Sequence, residues 1–229
     1  MDDLRYATPT AARLFGSLFV VSFLAYGIGS SMVQSVVSRP EILESVAANP
    51  GLVVAGVLLM GVLHTVANIG LAAVLLPILK PQNPVLAYAY FGAALIATAI
   101  LAVGAVFLFL LVPLSEDLPA DGVGTADTLA GVLSMGGFVS YQLGMAIWGA
   151  GGLMLCVALY QAGLVPRAMS IFGMVGYLVF IGGTVAELFG YELGLYLSAI
   201  GGLFELALSL WLIVRGFRHT TLPDAIPAS

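Results

Sequence analysis

The sequence predicts an all-α integral membrane bundle of about six transmembrane helices, with a short interfacial helix after the first. Hydrophobic residues make up 61% of the chain and charged residues only 8%, whereas a soluble domain is about 25% charged. Six apolar stretches reach the roughly 20 residues that a helix needs to cross the hydrocarbon core of a bilayer. Most charged residues fall between these stretches, which is typical of a multi-pass membrane protein.

Prolines mark several helix boundaries. Pro50, Pro84 and Pro166 are expected in first helical turns, where a missing N–H costs little. Pro77 and Pro113 are expected to end the second and third helices. We therefore treat residues 1–229 as one transmembrane domain, with a flexible cytoplasmic tail at 218–229 and helices near Leu14–Val33, Leu52–Leu76, Val85–Val112, Leu129–Tyr160, Ala168–Leu188 and Leu193–Val214.

The segment from Arg39 to Asn49 is too short to span a membrane. Acidic and apolar residues alternate along it, which favours an amphipathic helix lying in the membrane interface.

The distribution of charge predicts the orientation, because basic residues in short loops stay on the cytoplasmic side. In a six-helix topology one side collects Arg5, Arg13, Lys80, Arg167, Arg215 and Arg218. The other side has Arg39 and the acidic residues Glu41, Glu44, Glu116, Asp117, Asp121, Asp127 and Glu192. We expect a protein of the cell membrane with both termini in the cytoplasm.

Several function classes are disfavoured. With seven basic residues and a net charge of −5, the chain offers no basic patch for nucleic acid. The single cysteine, Cys156, permits neither a disulfide framework nor a cysteine-rich metal site. His64 is the sole histidine within a predicted helix, because His219 lies in the tail, so we expect no metal site and no cofactor. The sequence contains no GxSxG motif, so a serine hydrolase is disfavoured as well.

Three polar residues lie at a similar predicted depth in different helices. At about 1.5 Å per residue, His64, Gln142 and Glu205 are each roughly 18 Å from the outer ends of their helices. Ionisable groups at this depth are costly and usually face the bundle interior. We predict a polar pocket among the second, fourth and sixth helices, with a direct His64–Glu205 pair at its centre. The candidates for ligand binding or proton coupling are His64, Asn68, Tyr141, Gln142, Glu187 and Glu205.

A structural role is the alternative explanation of the same residues. A buried glutamate or histidine can cap a freed backbone group or fix helix packing without binding anything. For His64 alone a structural role is favoured over metal or haem ligation.

The sixth helix carries a set of residues that resembles a known family. Phe204, Glu205 and Trp211, followed by Arg215, Gly216 and Phe217, are similar to the bacterial and archaeal membrane family catalogued as domain of unknown function 4386. Pro166, Arg167, Ser170, Gly173 and Gly176 resemble it as well. The resemblance implies a bundle of six or seven helices with no established activity, and it points again to Glu205. One departure is that Phe91–Val106 lacks the arginine and glutamate that similar proteins often carry early in the third helix.

Three hypotheses of function follow. The pocket binds or transports a small amphiphilic molecule, with Glu205 available to couple a proton. Alternatively, the chain is an intramembrane enzyme acting on a lipid or quinone, with Glu205 or His64 as acid or base. It could instead be a structural or regulatory subunit, in which case its partners are copies of itself or another membrane protein. Membrane lipids are expected partners in every case, and an enzyme is the less favoured reading.

Overall fold

The computed structural model describes residues 7–116 and 123–218, in which the regular secondary structure is helical throughout. Within these ranges six helices are long and apolar enough to cross a membrane. We call them the first to sixth spans: Pro9–Val37, Pro50–Leu79, Pro84–Glu116, Gly124–Ala162, Arg167–Leu188 and, in the sixth helix Gly194–Val214, Tyr196–Val214. The predicted all-α membrane bundle is confirmed.

Two prolines do not end their helices as predicted. The second span continues past Pro77 to Leu79, because the N–H of Lys80 still donates to the carbonyl of Leu76 at 2.9 Å. Pro113 lies inside the short helix Leu111–Glu116, which extends the third span beyond Phe109. Each proline removes one backbone donor, and the bonds that follow it, from Lys80 to Leu76 and from Leu114 to Leu110, are still made.

A short helix, Ile42–Ala48, follows the first span, as the amphipathic pattern predicts. It buries Leu43 and Val46 and leaves Glu44 exposed. It packs against the helix Leu111–Glu116, so both short helices close the same end of the bundle.

The six spans form a ring in chain order. Each span packs against the next one, and the sixth packs against the first. Two apolar cores fill the ring at opposite ends. The core nearer the N-terminus includes Phe15, Leu75, Tyr90, Leu155 and Leu212. The core beside the short helices includes Val33, Leu43, Met60, Leu108 and Leu111.

The second span contains a π-helical segment, Leu58–Leu63, directly before His64. A π-helical turn has wider hydrogen-bond spacing than an α-helix and therefore rotates the residues on its two sides relative to each other. Such turns occur frequently at functional sites. Gly61, inside this segment, and His64, directly after it, therefore do not lie on one continuous α-helical face.

Candidate binding cavity

A cavity of about 510 Å³ lies inside the ring, and residues of all six spans line it. Its volume is within the range of about 300 to 1,000 Å³ that is usual for small-molecule sites. Six of the lining residues are aromatic: Phe19, Phe23, Tyr26, Tyr141, Trp148 and Phe180. The polar lining residues, apart from the two tyrosines and the tryptophan, are Ser22, His64, Ser198 and Glu205.

Glu205 lines the cavity and is held by two donors from neighbouring spans. Its side chain is 7% exposed. Trp148 of the fourth span donates its indole N–H to Oε1 at 2.8 Å, and Tyr177 of the fifth span donates its hydroxyl to the same atom at 2.9 Å. Oε2 receives no hydrogen bond from the residues described. One carboxyl oxygen is therefore fixed by the protein and the other is left available.

The position of Tyr177 depends on a glycine in the fourth span, which precedes its own. The Tyr177 ring lies directly over Gly152, where a Cβ atom would overlap it. Phe180 and Phe204 contact the ring edge-on, with centroids at 6.2 and 5.6 Å. The fourth and fifth spans thus approach closely enough to deliver the Tyr177 hydroxyl to Glu205.

His64 belongs to a separate hydrogen-bond network that joins the first three spans. The hydroxyl of Ser22 donates to Oδ1 of Asn68 at 2.6 Å and lies 3.0 Å from Nδ1 of His64. Nδ2 of Asn68 lies 2.9 Å from Nε2 of His64 and donates to Oγ1 of Thr98 at 3.2 Å. The three side chains Ser22, His64 and Asn68 therefore form a closed cycle.

The directions of these hydrogen bonds define the state of the imidazole. Because the amide Nδ2 of Asn68 is a donor, Nε2 of His64 has to accept. Nδ1 then carries the proton, which suits the carbonyl of Ser22 at 3.2 Å. His64 is thus a neutral imidazole with both nitrogens occupied, and the interpretation that it holds helices together is the one its contacts favour.

The predicted direct pair between His64 and Glu205 is wrong. Both side chains line the same cavity, as expected from their depth. Within residues 7–116 and 123–218, however, neither a hydrogen bond nor an ion pair joins them. His64 is bonded to Ser22 and Asn68, and Glu205 to Trp148 and Tyr177. The two residues lie at a similar depth, but His64 bonds to side chains of the first and second spans and Glu205 to side chains of the fourth and fifth.

The other candidate residues have different positions. Tyr141 lines the cavity, and Asn68 reaches it only through His64. Gln142 is buried in the fourth span but is not part of the lining. Glu187 is also outside the lining. Its Oε1 accepts a hydrogen bond from the backbone N–H of Gly194 at 2.6 Å. Glu187 therefore caps the start of the sixth helix, where a carboxylate is favourable.

Three hydroxyl groups of the lining have no protein partner among the described residues. They belong to Tyr26, Tyr141 and Ser198. The Tyr26 ring stacks on Tyr141 with centroids 5.7 Å apart and meets the His64 ring edge-on at 4.9 Å. With Oε2 of Glu205, these hydroxyls give a bound molecule four polar atoms that no described residue engages, on a wall that is mainly apolar.

The cavity reaches the outer surface of the ring between the first and sixth spans. Phe23 and Gly27 of the first span line it and are exposed, and so are Ala199 and Leu203 of the sixth. Leu203 is 60% exposed and Phe23 is 40% exposed. This surface would face lipid in a membrane, so the opening is lateral.

Sequence reasoning missed part of this site. The first span contributes Phe19, Ser22, Phe23 and Tyr26 to the lining, although the predicted pocket did not include that span. Trp148 and Tyr177 were missed as partners of Glu205. One available signal was the position of Trp148 in the middle of a span, where an indole N–H has to find a buried acceptor.

Comparisons with known proteins give a family but no characterised relative. The family model described as Domain of unknown function (DUF4386) matches residues 14–216. No curated protein and no solved structure matches the chain.

Proposed function

We propose that this chain, which belongs to the family described as Domain of unknown function (DUF4386), binds or carries a small amphiphilic molecule in its intramembrane cavity. The observation that carries the proposal is the state of Glu205. Two donors fix one oxygen of its carboxyl group, and the other oxygen has no protein partner among the described residues. An ionisable group is costly to keep at this depth, so such groups usually serve a function.

The lining suits a molecule with one polar group. Glu205 and the hydroxyls of Tyr26, Tyr141 and Ser198 supply polar contacts, while Leu101, Met145, Leu203 and Leu206 supply apolar ones. Sites with a mainly apolar wall and a few convergent polar groups are typical of small-molecule binding.

The lateral opening supports access from the lipid. Phe23 lies at its edge, with Cε2 3.6 Å from the position a Cβ would take on Gly202. Next to it, a Cβ on Gly27 would meet nothing within 4 Å. An amphiphile dissolved in the bilayer could therefore pass beside Gly27 without first entering water.

The proposed orientation places both termini in the cytoplasm of a cell-membrane protein. Of the basic residues, Arg13, Lys80, Arg167, Arg215 and Arg218 are at one end of the ring, as the topology of the spans requires. Arg5, Asp117, Asp121 and the tail from 219 to 229 lie outside the described residues. Cysteines introduced at Lys80 and Glu192 test this orientation. An impermeant maleimide added to intact cells should label the Glu192 variant only, and the reverse pattern would overturn it.

The hypothesis of an enzyme acting on a lipid or quinone gains no support from the contacts of His64. Both ring nitrogens are engaged with Ser22 and Asn68, so neither is placed to exchange a proton with a substrate. The role of a partner subunit stays a prediction.

Native mass spectrometry of the purified protein tests the proposal. The wild-type chain should retain one amphiphile from the membrane, seen as a discrete added mass. Gly202→Leu should lose it, because the new side chain projects into the cavity that Gly202 lines. Gly182→Leu is the matched control, since Gly182 is exposed and a Cβ there meets nothing within 4 Å. A wild-type chain without any adduct, or equal retention by both variants, would overturn the proposal.

A further inference from the structure

We infer that the ligand of this cavity is a lipophilic organic cation whose positive group lies against Glu205. The inference rests on the proposed function and adds the sign of the ligand's charge to it.

The charges of the lining favour a cation. Among the described residues of the lining, Glu205 is the sole acidic one, and none is a lysine or an arginine. A carboxylate at this depth requires a proton or a positive partner, because an apolar environment solvates a bare charge poorly. A cationic ligand supplies that partner, whereas an anionic ligand would be repelled by the same group.

His64 does not supply the missing positive charge. Its Nε2 accepts from Asn68, so the ring is neutral within the closed cycle of the first three spans. If Nε2 were protonated, its N–H would face the amide N–H of Asn68, and two donors cannot form a hydrogen bond. The cycle would then be broken. The hydrogen-bonding pattern therefore leaves Glu205 without a protein counter-ion in the described part of the lining.

The aromatic rings of the lining also favour a cation. The face of an aromatic ring attracts a positive group within about 6 Å, most strongly when both are desolvated. The stacked pair Tyr26 and Tyr141 and the rings of Phe19, Trp148 and Phe180 surround the same space as Glu205. A carboxylate within an aromatic wall is the combination that recognises an organic ammonium or phosphonium group.

The apolar part of the wall suits the substituents of such a cation. Leu101, Met145 and Leu206 offer contacts to hydrocarbon groups, and they leave room within the volume of about 510 Å³. Tetraphenylphosphonium is a suitable probe because it donates no hydrogen bond and dissolves in bilayers. Tetraphenylborate has nearly the same size and shape but the opposite charge, which makes it the matched control.

Trp148 reports binding directly. Trp211 is the other tryptophan, and its indole nitrogen is buried without a partner, so Trp211→Phe removes no hydrogen bond. In this variant, tetraphenylphosphonium should change the Trp148 fluorescence saturably, and tetraphenylborate should not. Adding Glu205→Gln should weaken the affinity by about tenfold or more, which corresponds to about 1.4 kcal/mol. The variant Trp148→Phe, which keeps Trp211, should give no saturable signal.

Each outcome separates the charge of the ligand from binding itself. Equal binding of the two ions, or tetraphenylborate binding alone, would overturn the cation inference and leave amphiphile binding intact. Unchanged affinity in a Glu205→Gln variant that remains monodisperse would overturn the role of Glu205. If neither ion changes the Trp148 fluorescence but native mass spectrometry shows an adduct, the cation inference is overturned and amphiphile binding is not. Without an adduct, the proposed function fails as well.

Discussion

The indole N–H of Trp148 donates to Oε1 of Glu205 at 2.8 Å and thereby joins the fourth and sixth spans. Tyr177 donates to the same oxygen at 2.9 Å from the fifth span, which lies between them in the ring. One carboxyl oxygen therefore holds three helices, while the second oxygen stays available to a ligand. The Glu205 side chain therefore joins helices through one oxygen and, in the proposed function, binds the ligand through the other.

A double-mutant cycle should detect the Trp148–Glu205 bond. Trp148→Phe removes the donor and Glu205→Leu removes the acceptor, so each should destabilise the protein. Their coupling energy should lie between about 0.6 and 1.7 kcal/mol, the mean and the largest values for hydrogen bonds between membrane helices. The measurement is reversible unfolding in mixed detergent. The control cycle pairs Trp211→Phe with Glu205→Leu and should show no coupling, because the Trp211 indole has no hydrogen-bond partner among the described residues. Similar coupling in both cycles would contradict the assignment.

Gly152→Ala should disturb the site from a distance. A Cβ at this position overlaps the Tyr177 ring, so the ring has to move away from Glu205. We expect a loss of about 1 to 3 kcal/mol in the free energy of unfolding, together with weaker binding of tetraphenylphosphonium. Gly182→Ala, at an open position, should leave both quantities unchanged. Wild-type affinity in Gly152→Ala would show that Tyr177 does not position the carboxyl.

Asn68→Ala should destabilise the network of the first three spans. It removes the partners of His64 Nε2 and Thr98 Oγ1, and buried polar groups without partners cost about 1 to 3 kcal/mol. Thr65→Ala is the control, because among the described residues the Thr65 hydroxyl bonds only to the carbonyl of Gly61 in its own span. Equal unfolding energies for the two variants would mean that the network does not hold the spans together.

The affinity for tetraphenylphosphonium should fall as the pH is lowered from about 8 to 5, because a proton and the cation compete for one carboxylate. The dependence should disappear in Glu205→Gln. Titratable groups from the other five spans surround or face Glu205: Tyr26, His64, Tyr90, Tyr141, Cys156 and Tyr177. Free tyrosine and cysteine titrate above this range, near about 10 and 8.5. A pH dependence that survives in Glu205→Gln would therefore implicate His64 and contradict the prediction.

The fold was predictable because the length and hydropathy of a membrane helix follow from bilayer thickness. Six apolar stretches gave six spans, and the amphipathic segment gave the helix Ile42–Ala48. The positions of Pro77 and Pro113 within helices were not predictable from proline alone, since the hydrogen bonds of the residues around each proline decide whether the helix continues.

The site was predictable in depth but not in its partners. Counting residues along each helix placed His64 and Glu205 in one layer. It could not give the rotation of each helix about its axis, and the π-helical segment Leu58–Leu63 changes that rotation just before His64. The partners Trp148 and Tyr177 depend on the order of spans around the ring and on the close approach at Gly152.

Quenching of Trp148 by lipids with brominated acyl chains tests the central claim, a cavity open to the bilayer beside Glu205. In the Trp211→Phe background, reconstituted protein should be strongly quenched. Gly27→Leu should reduce the quenching, because its side chain narrows the opening between the first and sixth spans. Gly182→Leu, exposed on the fifth span, should not. Trp148 fluorescence that brominated lipid leaves unchanged in every variant would contradict the lateral cavity.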